Sequence, residues 1–254
     1  MGKEEQDKLV FDVEAVFDPD DYLYFYEDVV SEKRTNKEVD FLVTELKMDK
    51  PIRVLDLACG FGRHANRLAE RGHKVTGVDI TEGFLDIARA GAQNKNLDVT
   101  YLRGDMREIS FDGEFERALL LFTAFGYFED EENYKVLENV SRALVKGGLF
   151  CFDTLNRDSY LKNSLPYSVV EKGNDLMVDM NSFDALTGRN YNKRIIIRNG
   201  VRKDAPFFVR LYNLTEIRDL LNRAGLTLCS VYENWDGKPF TSTSFRMIMV
   251  AKKE

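Results

Sequence analysis

Short apolar runs alternate along this chain with amphipathic stretches, and most changeovers fall at glycine or at a charged residue. Val54-Leu55-Asp56-Leu57-Ala58 reads as a buried strand that enters a glycine turn, Cys59-Gly60-Phe61-Gly62, and a helix follows from Arg63 to Arg71. Residues 74–79 form a short strand ending in a carboxylate. Thr81 then opens an amphipathic helix with Phe84, Leu85, Ile87 and Ala88 on its apolar side. A third strand, 99–103, ends in Gly104-Asp105-Met106. A fourth apolar run, 118–122, leads into Thr123-Ala124-Phe125-Gly126-Tyr127-Phe128. A helix over 130–144 stops at Lys146-Gly147-Gly148, and the strand 149–152 follows. Strands alternating with helices predict parallel βαβ units, whose ligands lie outside the carboxyl ends of the strands. Asp56, Asp79, Asp105 and Thr123 all fall at those ends.

The flanking stretches follow other patterns. Residues 1–20 read as a mobile lead-in. Tyr22, Tyr24, Phe25 and Tyr26 then form an aromatic cluster before a helix from about Thr35, whose Thr35-x-x-Glu38 reads as a capping box. That helix turns Val39, Leu42, Val43 and Leu46 inward. Between 157 and 210 the stretches 167–171, 176–183, 190–198 and 207–212 are extended and rich in β-branched or aromatic residues, and Asn199-Gly200 is a strong hairpin signal. They predict an antiparallel sheet inserted after the fifth strand, serving as a substrate cover or a dimer contact. Residues 215–224 form a capped helix stopped by Gly225, and 226–232 and 245–251 supply the last two strands. The expected division is an N-terminal lid and helix (1–50), a cofactor-binding core (51–156), the insert (157–212) and a return to the core (213–254).

The glycine turn fits two ligand classes. Gly60-x-Gly62-x-x-Ala65, with Asp79 further on, matches the dinucleotide fingerprint. Asp56 argues against it, because a carboxylate beside the turn repels a pyrophosphate and attracts a cation. S-adenosylmethionine, with its sulfonium, ammonium and adenosine, suits that layout.

Taken in order, VLDLACGFGRH, VTGVDIT, RGDMRE, LLLFTAFGYF and LVKGGLFCFDTLN resemble the successive motifs of class I S-adenosylmethionine-dependent methyltransferases, over residues 35–254. Within that family they look most like the small-molecule branch, which includes glycine N-methyltransferase and the sugar-amine N,N-dimethyltransferases. The resemblance implies an α/β, Rossmann-like, seven-stranded sheet, mostly parallel with an antiparallel last strand. It also implies a small-molecule acceptor, with nitrogen slightly favoured over oxygen. Cofactor-binding candidates are Tyr22, Arg34, Asp56, Ala58, Gly60, Gly62, Asp79, Ile80, Asp105, Met106 and Phe122. Asp79 is assigned to the ribose hydroxyls and Asp105 to the adenine amino group, while Tyr22, Tyr26 and Arg34 are lid candidates. Acceptor-facing candidates are Thr123, Tyr127, Asp153 and Asn156, with Trp235 and Arg246 weaker. For each, packing or capping is an equally good reading. His64 reads as structural or cofactor-contacting rather than as a base.

With 254 residues, 44% of them hydrophobic and 31% charged, the chain can bury one substantial core. No apolar run is long enough to span a bilayer, and the charged N-terminus lacks a secretory core, so a cytoplasmic setting is the default expectation. A possible homodimer stays open. Of three cysteines, Cys151 and Cys229 are expected to be buried thiols in core strands, and Cys59 is a small residue of the turn. Two histidines and no C-x-x-C pair predict no metal site. A net charge of −7 disfavours nucleic acid. The one local exception is Arg189, Lys193, Arg194, Arg198, Arg202 and Lys203, which read as a solvated sheet edge or, less readily, as a docking surface for an anionic substrate or RNA.

Overall fold

The computed structural model describes residues 12–254. The lead-in expected over 1–20 lies outside the described residues as far as position 11. Beyond it the chain is helical, with α1 at Val13–Val16 and α2 at Pro19–Tyr26, followed by a 3-10 turn at Glu27–Val30. Asp12 and Asp18 cap α1 and α2 by accepting from Ala15 and Asp21 N–H groups, and Pro19 sits where a helix has no use for its missing N–H. Helix α3, Glu32–Glu45, starts a turn earlier than the sequence suggests. Thr35 lies inside it and donates back to the Ser31 carbonyl, so the Thr35/Glu38 capping box does not form.

The remaining core elements are β1 (Arg53–Leu57), α4 (Arg63–Glu70), β2 (Lys74–Asp79), α5 (Glu82–Asn94), β3 (Val99–Arg103), β4 (Phe115–Leu120), α6 (Asp130–Ala143) and β5 (Leu144–Leu155). After β5 come α7 (Arg157–Asn163), β6 (Tyr167–Lys172), β7 (Asp175–Asp184), β8 (Arg189–Arg198), β9 (Val201–Asp204) and β10 (Phe207–Arg210). Helix α8 (Leu214–Arg223) and strands β11 (Leu226–Tyr232) and β12 (Arg246–Lys253) complete the chain. The main sheet has the order β11-β12-β5-β4-β1-β2-β3, with β12 antiparallel to both its neighbours and the others parallel.

Both faces of this sheet are covered, which is why its central strands read as continuous apolar runs. Leu55, Leu57, Phe150 and Phe152 face the layer formed by α6 and α8. Val54, Leu119, Cys151 and Val250 face α3, α4 and α5. Two local expectations are corrected. Ile87 is 38% exposed, because only Phe84, Leu85, Ala88 and Ala92 of α5 reach the sheet. Cys229 is exposed, because β11 is an edge strand whose pairing with β12 shifts between Leu228 and Ser230. Likewise Gly147-Gly148 is not the stop of α6. The helix ends at Ala143, and a side chain at Gly148 would meet the Val145 carbonyl oxygen at 2.9 Å.

The insert is a second antiparallel sheet, β10-β8-β7-β6, with β9 paired to β8. Asn199 and Gly200 both adopt positive φ at the β8–β9 turn, as the Asn-Gly signal implies. This sheet docks on the main one beside Gly126, whose carbonyl accepts from Arg210 N–H at 2.7 Å. A Cβ on Gly126 would lie 2.6 Å from the Arg210 oxygen, so no other residue permits that approach.

The loop after β4 is held from below. Phe122 and Thr123 both sit at φ near 63°, a region unfavourable for side-chain-bearing residues. The Asp153 carboxylate accepts from Phe122 N–H at 2.6 Å and Thr123 N–H at 3.2 Å, and pairs with Arg246. Asp153→Ala leaves a cation and two backbone donors without their partner, so it should lower unfolding free energy by about 3 kcal/mol. Asn156→Ala removes only the α7 cap and a bond to the Ser244 carbonyl, at about 1 kcal/mol. Denaturant unfolding of the two variants checks the ranking.

Candidate functional site

A cavity with about 1010 Å³ of empty space, partly open to solvent, lies beyond the carboxyl ends of β1, β2 and β3. Its floor is the glycine turn. Ala58 and Gly60 take positive φ, and a Cβ built on Gly60 meets nothing within 4 Å. Gly62 has a different reason for being glycine. Its Cβ would lie 2.3 Å from the Tyr101 hydroxyl, so its absence lets α4 settle onto β3.

Asp79 ties this turn to the next strand. It accepts from Gly60 N–H at 2.7 Å and Thr81 N–H at 2.9 Å. Burial nevertheless raises its pKa above the ordinary carboxylate value, against those bonds. Asp105 is more exposed and is gripped by the Arg107 guanidinium, with the closest contact 2.6 Å. Burial acts to raise its pKa, but the Arg107 bonds outweigh this and lower it. Asp56 is not on the cavity wall. It lies behind the turn, almost wholly buried, accepting from Ala65 N–H while Oδ2 has no partner. Burial pushes its pKa up to about 7.

A buried ion cluster forms the wall beside the turn. Glu38, 1% exposed, accepts from Arg34 at 2.8 Å and from His64 Nε2 at 2.8 Å, and pairs with Arg63. Burial acts to raise the Glu38 pKa, but the His64 bond and the neighbouring guanidinium charges hold it at about 2. Burial and the Arg63 charge push His64 down to about 4 despite Glu38. His64 is therefore a neutral ring that donates to the carboxylate. Arg63 lines the cavity, and its Nη2 is buried without a hydrogen-bond partner. Arg63 and Arg34 also lie 5.2 and 5.5 Å from the Phe122 ring centroid.

The cover is aromatic. Tyr22 stacks on Tyr26 with centroids 4.7 Å apart, and Phe17 meets the edge of Tyr127 at 5.5 Å. Burial raises the pKa of both Tyr22 and Tyr127. Tyr26 accepts from Arg194 at 3.0 Å, and Arg194 grips Asp179 through two bonds at 2.8 and 2.9 Å. The basic stretch is a solvated edge over β9, where Arg202 and Lys203 are exposed, but not over β8. Strand β8 is interior to its sheet, Arg194 is buried, and Arg198 and Lys203 both pair with buried Asp21 of α2. Arg189 pairs with Glu129 and Arg202 with Asp204.

Of the residues singled out from the sequence, Tyr22, Ala58, Gly60, Asp79, Ile80, Asp105, Met106, Phe122 and Tyr127 line the cavity. Arg34 stands behind Phe122, and Asp56 and Gly62 lie behind the turn. Thr123, Asp153 and Arg246 hold one another under the post-β4 loop. Asn156 caps α7. Trp235 packs on Phe41, at 5.3 Å, in a shallow hollow beside α3. Sequence reasoning assigned no role here to Glu38, Arg63 or Phe17. An acidic residue interrupting the inward face of α3 was the available signal for Glu38.

Residues 54–148 match the family described as a methyltransferase domain. A putative methyltransferase from Geobacillus sp. (strain WCH70) is 24% identical over 252 residues, covering 91% of this chain and 98% of its own. An S-adenosylmethionine-dependent methyltransferase from Clostridium acetobutylicum ATCC 824 superposes with a TM-score of 0.79 at 20% identity, over 91% of this chain and 96% of that one. An amino pentose methyltransferase from Micromonospora echinaspora, solved with S-adenosylmethionine bound, gives a TM-score of 0.68 at 18% identity, over 97% and 99%. Residues 54–148 are thus similar to a methyltransferase domain, and the chain as a whole shares the fold of S-adenosylmethionine-dependent methyltransferases.

The ion cluster makes stability depend on pH in one direction. Glu38 has a depressed pKa in the folded state, so its contribution is present above its unfolded value and lost as pH falls toward about 2. His64 is buried neutral, so the unfolded chain takes up its proton first, between its ordinary value of 6.5 and about 4. Both effects destabilise on acidification. Thermal unfolding should shift markedly downward between pH 7 and pH 4, and His64→Gln should flatten the upper part of that curve.

Proposed function

We propose that the protein methylates a small-molecule amine. The observation that carries this reading is that, among the described residues, the cavity wall offers no side chain poised to take a proton. Tyr22 and Tyr127 are phenols whose burial keeps them neutral. His64 is turned to Glu38, Asp79 is engaged by backbone donors, and Asp105 is gripped by Arg107. An amine in its neutral form needs no base, because its lone pair attacks directly, whereas a hydroxyl would have to be deprotonated.

The residues present fit S-adenosylmethionine. The unpartnered Nη2 of Arg63 suits the carboxylate of its amino-acid end. A carboxylate has about four acceptor sites, so Asp79 can take ribose hydroxyls beside its two backbone bonds. Asp105 and Met106 suit the adenine edge and face. When bound, the cofactor supplies an electrophilic methyl group on sulfur. The chain's own part is to hold the two reactants in line and to exclude water with Phe17, Tyr22 and Tyr127, and such orientation is worth up to ~7–11 kcal/mol. The basic stretch of the insert gives no support to an RNA substrate, since Arg189, Arg194, Arg198, Arg202 and Lys203 are each ion-paired within the chain.

Calorimetry should detect S-adenosylhomocysteine binding and negligible binding of NAD. Arg63→Met should weaken S-adenosylhomocysteine by roughly tenfold or more, yet barely affect methylthioadenosine, which lacks the carboxylate. Asp79→Ala should weaken both by one to two orders of magnitude, on the order of 1.5–3 kcal/mol. In turnover, the pH midpoint should move with the pKa of the amine offered. A midpoint that stays fixed across amines of different basicity would reveal an enzyme base and overturn the reading.

A further inference from the structure

The inner face of the inserted sheet carries a polar cluster that no step above uses. In the register of β7, β8 and β10, Asn181 lies opposite Asn192, Asp179 opposite Arg194, Asn192 opposite Phe207 and Asn190 opposite Val209. Residues directly opposite share a face, so three amides and the Arg194–Asp179 pair project to the same side. Asn190 and Asn192 are only 7% and 5% exposed. Both donate to one oxygen, Asn181 Oδ1, at 2.9 and 3.2 Å. Their own carbonyl oxygens are buried without a partner.

Turning all three amides over does not cure this. Asn181 would then donate to both neighbours, and two NH2 groups would be left unmatched in place of two carbonyls. Two unsatisfied amide groups so close together are costly in a core, where apolar residues of the same shape would cost less. The cluster also sits against the cavity's cover. Phe207, opposite Asn192, lies 6.0 Å from the ring of Tyr127, and Arg194 donates to Tyr26, which stacks on Tyr22. Tyr127 and Tyr22 both line the cavity.

We infer that Asn181, Asn190 and Asn192 form the acceptor-recognition subsite, and that they bind an uncharged, hydroxyl-bearing part of the acceptor. The inference rests on the methyltransferase reading of the cavity. A hydroxyl donates and accepts, so it completes the amides in either orientation. Formal charge on this part of the ligand is disfavoured, because the neighbouring charges, Arg194 and Asp179, already neutralise one another through a two-bond pairing. A site built to hydrogen-bond hydroxyls discriminates strongly against the analogue that lacks them.

The test uses the full chain with S-adenosylmethionine and matched amines: 2-aminocyclohexanol and 3-amino-1,2-propanediol, against cyclohexylamine and propylamine. Each hydroxylated amine should be methylated with kcat/KM at least about tenfold above its partner. Asn192→Leu and Asn190→Leu should abolish that preference while leaving S-adenosylhomocysteine binding unchanged. Neither variant should lower the melting temperature, since an unsatisfied amide is being replaced by an apolar group. Equal use of hydroxylated and plain amines, or a preference that survives both substitutions, would overturn the inference. So would variants that melt earlier yet keep the preference, which marks a purely structural cluster. Binding of S-adenosylhomocysteine with turnover of none of the four amines also overturns it and leaves the cofactor reading standing. Failure to bind S-adenosylhomocysteine would sink that reading itself.

Discussion

Removing a carboxylate from water costs several kcal/mol unless fixed charges and hydrogen bonds replace the lost hydration, and Glu38 is buried under that condition. Its partners are not interchangeable surface cations. Arg63 and His64 are the first two residues of α4, which follows the glycine turn without a break. Helix α4 has no acidic side chain in its first turn, where the helix dipole favours negative charge. Glu38 supplies that charge from α3. One carboxylate therefore fixes the spacing between α3 and the turn, and holds one edge of the Arg63 guanidinium so that Nη2 remains free on the cavity wall. The orphaned donor is then a consequence of how α3 and α4 are joined.

The cover over the cavity comes from two sequence-distant pieces that are bound to each other. Asp21 of α2 is buried between Arg198 and Lys203 of the insert, Tyr24 donates to the Lys172 carbonyl, and Tyr26 accepts from Arg194. Freeing α2 alone would break the Asp21 pairs with Arg198 and Lys203 and leave the buried Arg194 short of its Tyr26 contact. The lower-cost motion moves α2 and the inserted sheet together. Strand β10 meets the loop carrying Tyr127 through the Arg210–Gly126 backbone bond and through Phe207 and Val209, which pack with Tyr127 in one apolar cluster. An acceptor subsite on the insert would then approach and leave the cofactor side as one body with the lid.

The sheet was legible in the sequence because burial on both faces writes itself as runs such as Val54–Leu57 and 118–121, and because its turns need glycine. The insert's hairpin was legible for a similar local reason, Asn199-Gly200. What could not be read was partnership across sequence distance. Thr35-x-x-Glu38 satisfied the capping pattern, yet Glu38 was needed by Arg63 and His64 some 25 residues away. The basic run over 189–203 contains no acid itself, and apart from Asp204, which follows it and pairs with Arg202, its counter-charges lie in α2, on β7 and before α6. Asp153, read from its motif as acceptor-facing, instead holds Phe122, Thr123 and Arg246. Short-range pattern finds strands, caps and turns; it is blind to which distant charge a buried group will meet.

The division of polarity between the two sides of the cavity follows from those parts. The cofactor side is assembled from strand ends of one rigid sheet, and its charged groups are fixed by backbone donors or by each other. The inserted sheet satisfies its backbone hydrogen bonds within its own ladder. A change at Asn181, Asn190 or Asn192, the subsite inferred above, would therefore leave the ladder, the glycine turn and the Glu38 cluster undisturbed. A change at Glu38, Asp79 or Asp153 moves the backbone that the cofactor must lie against. The insert and the main sheet meet in an apolar cluster, where Phe207, Val209 and Leu211 pack with Tyr127, Leu155 and Tyr160, so a substitution on the insert's amide face leaves that seam in place.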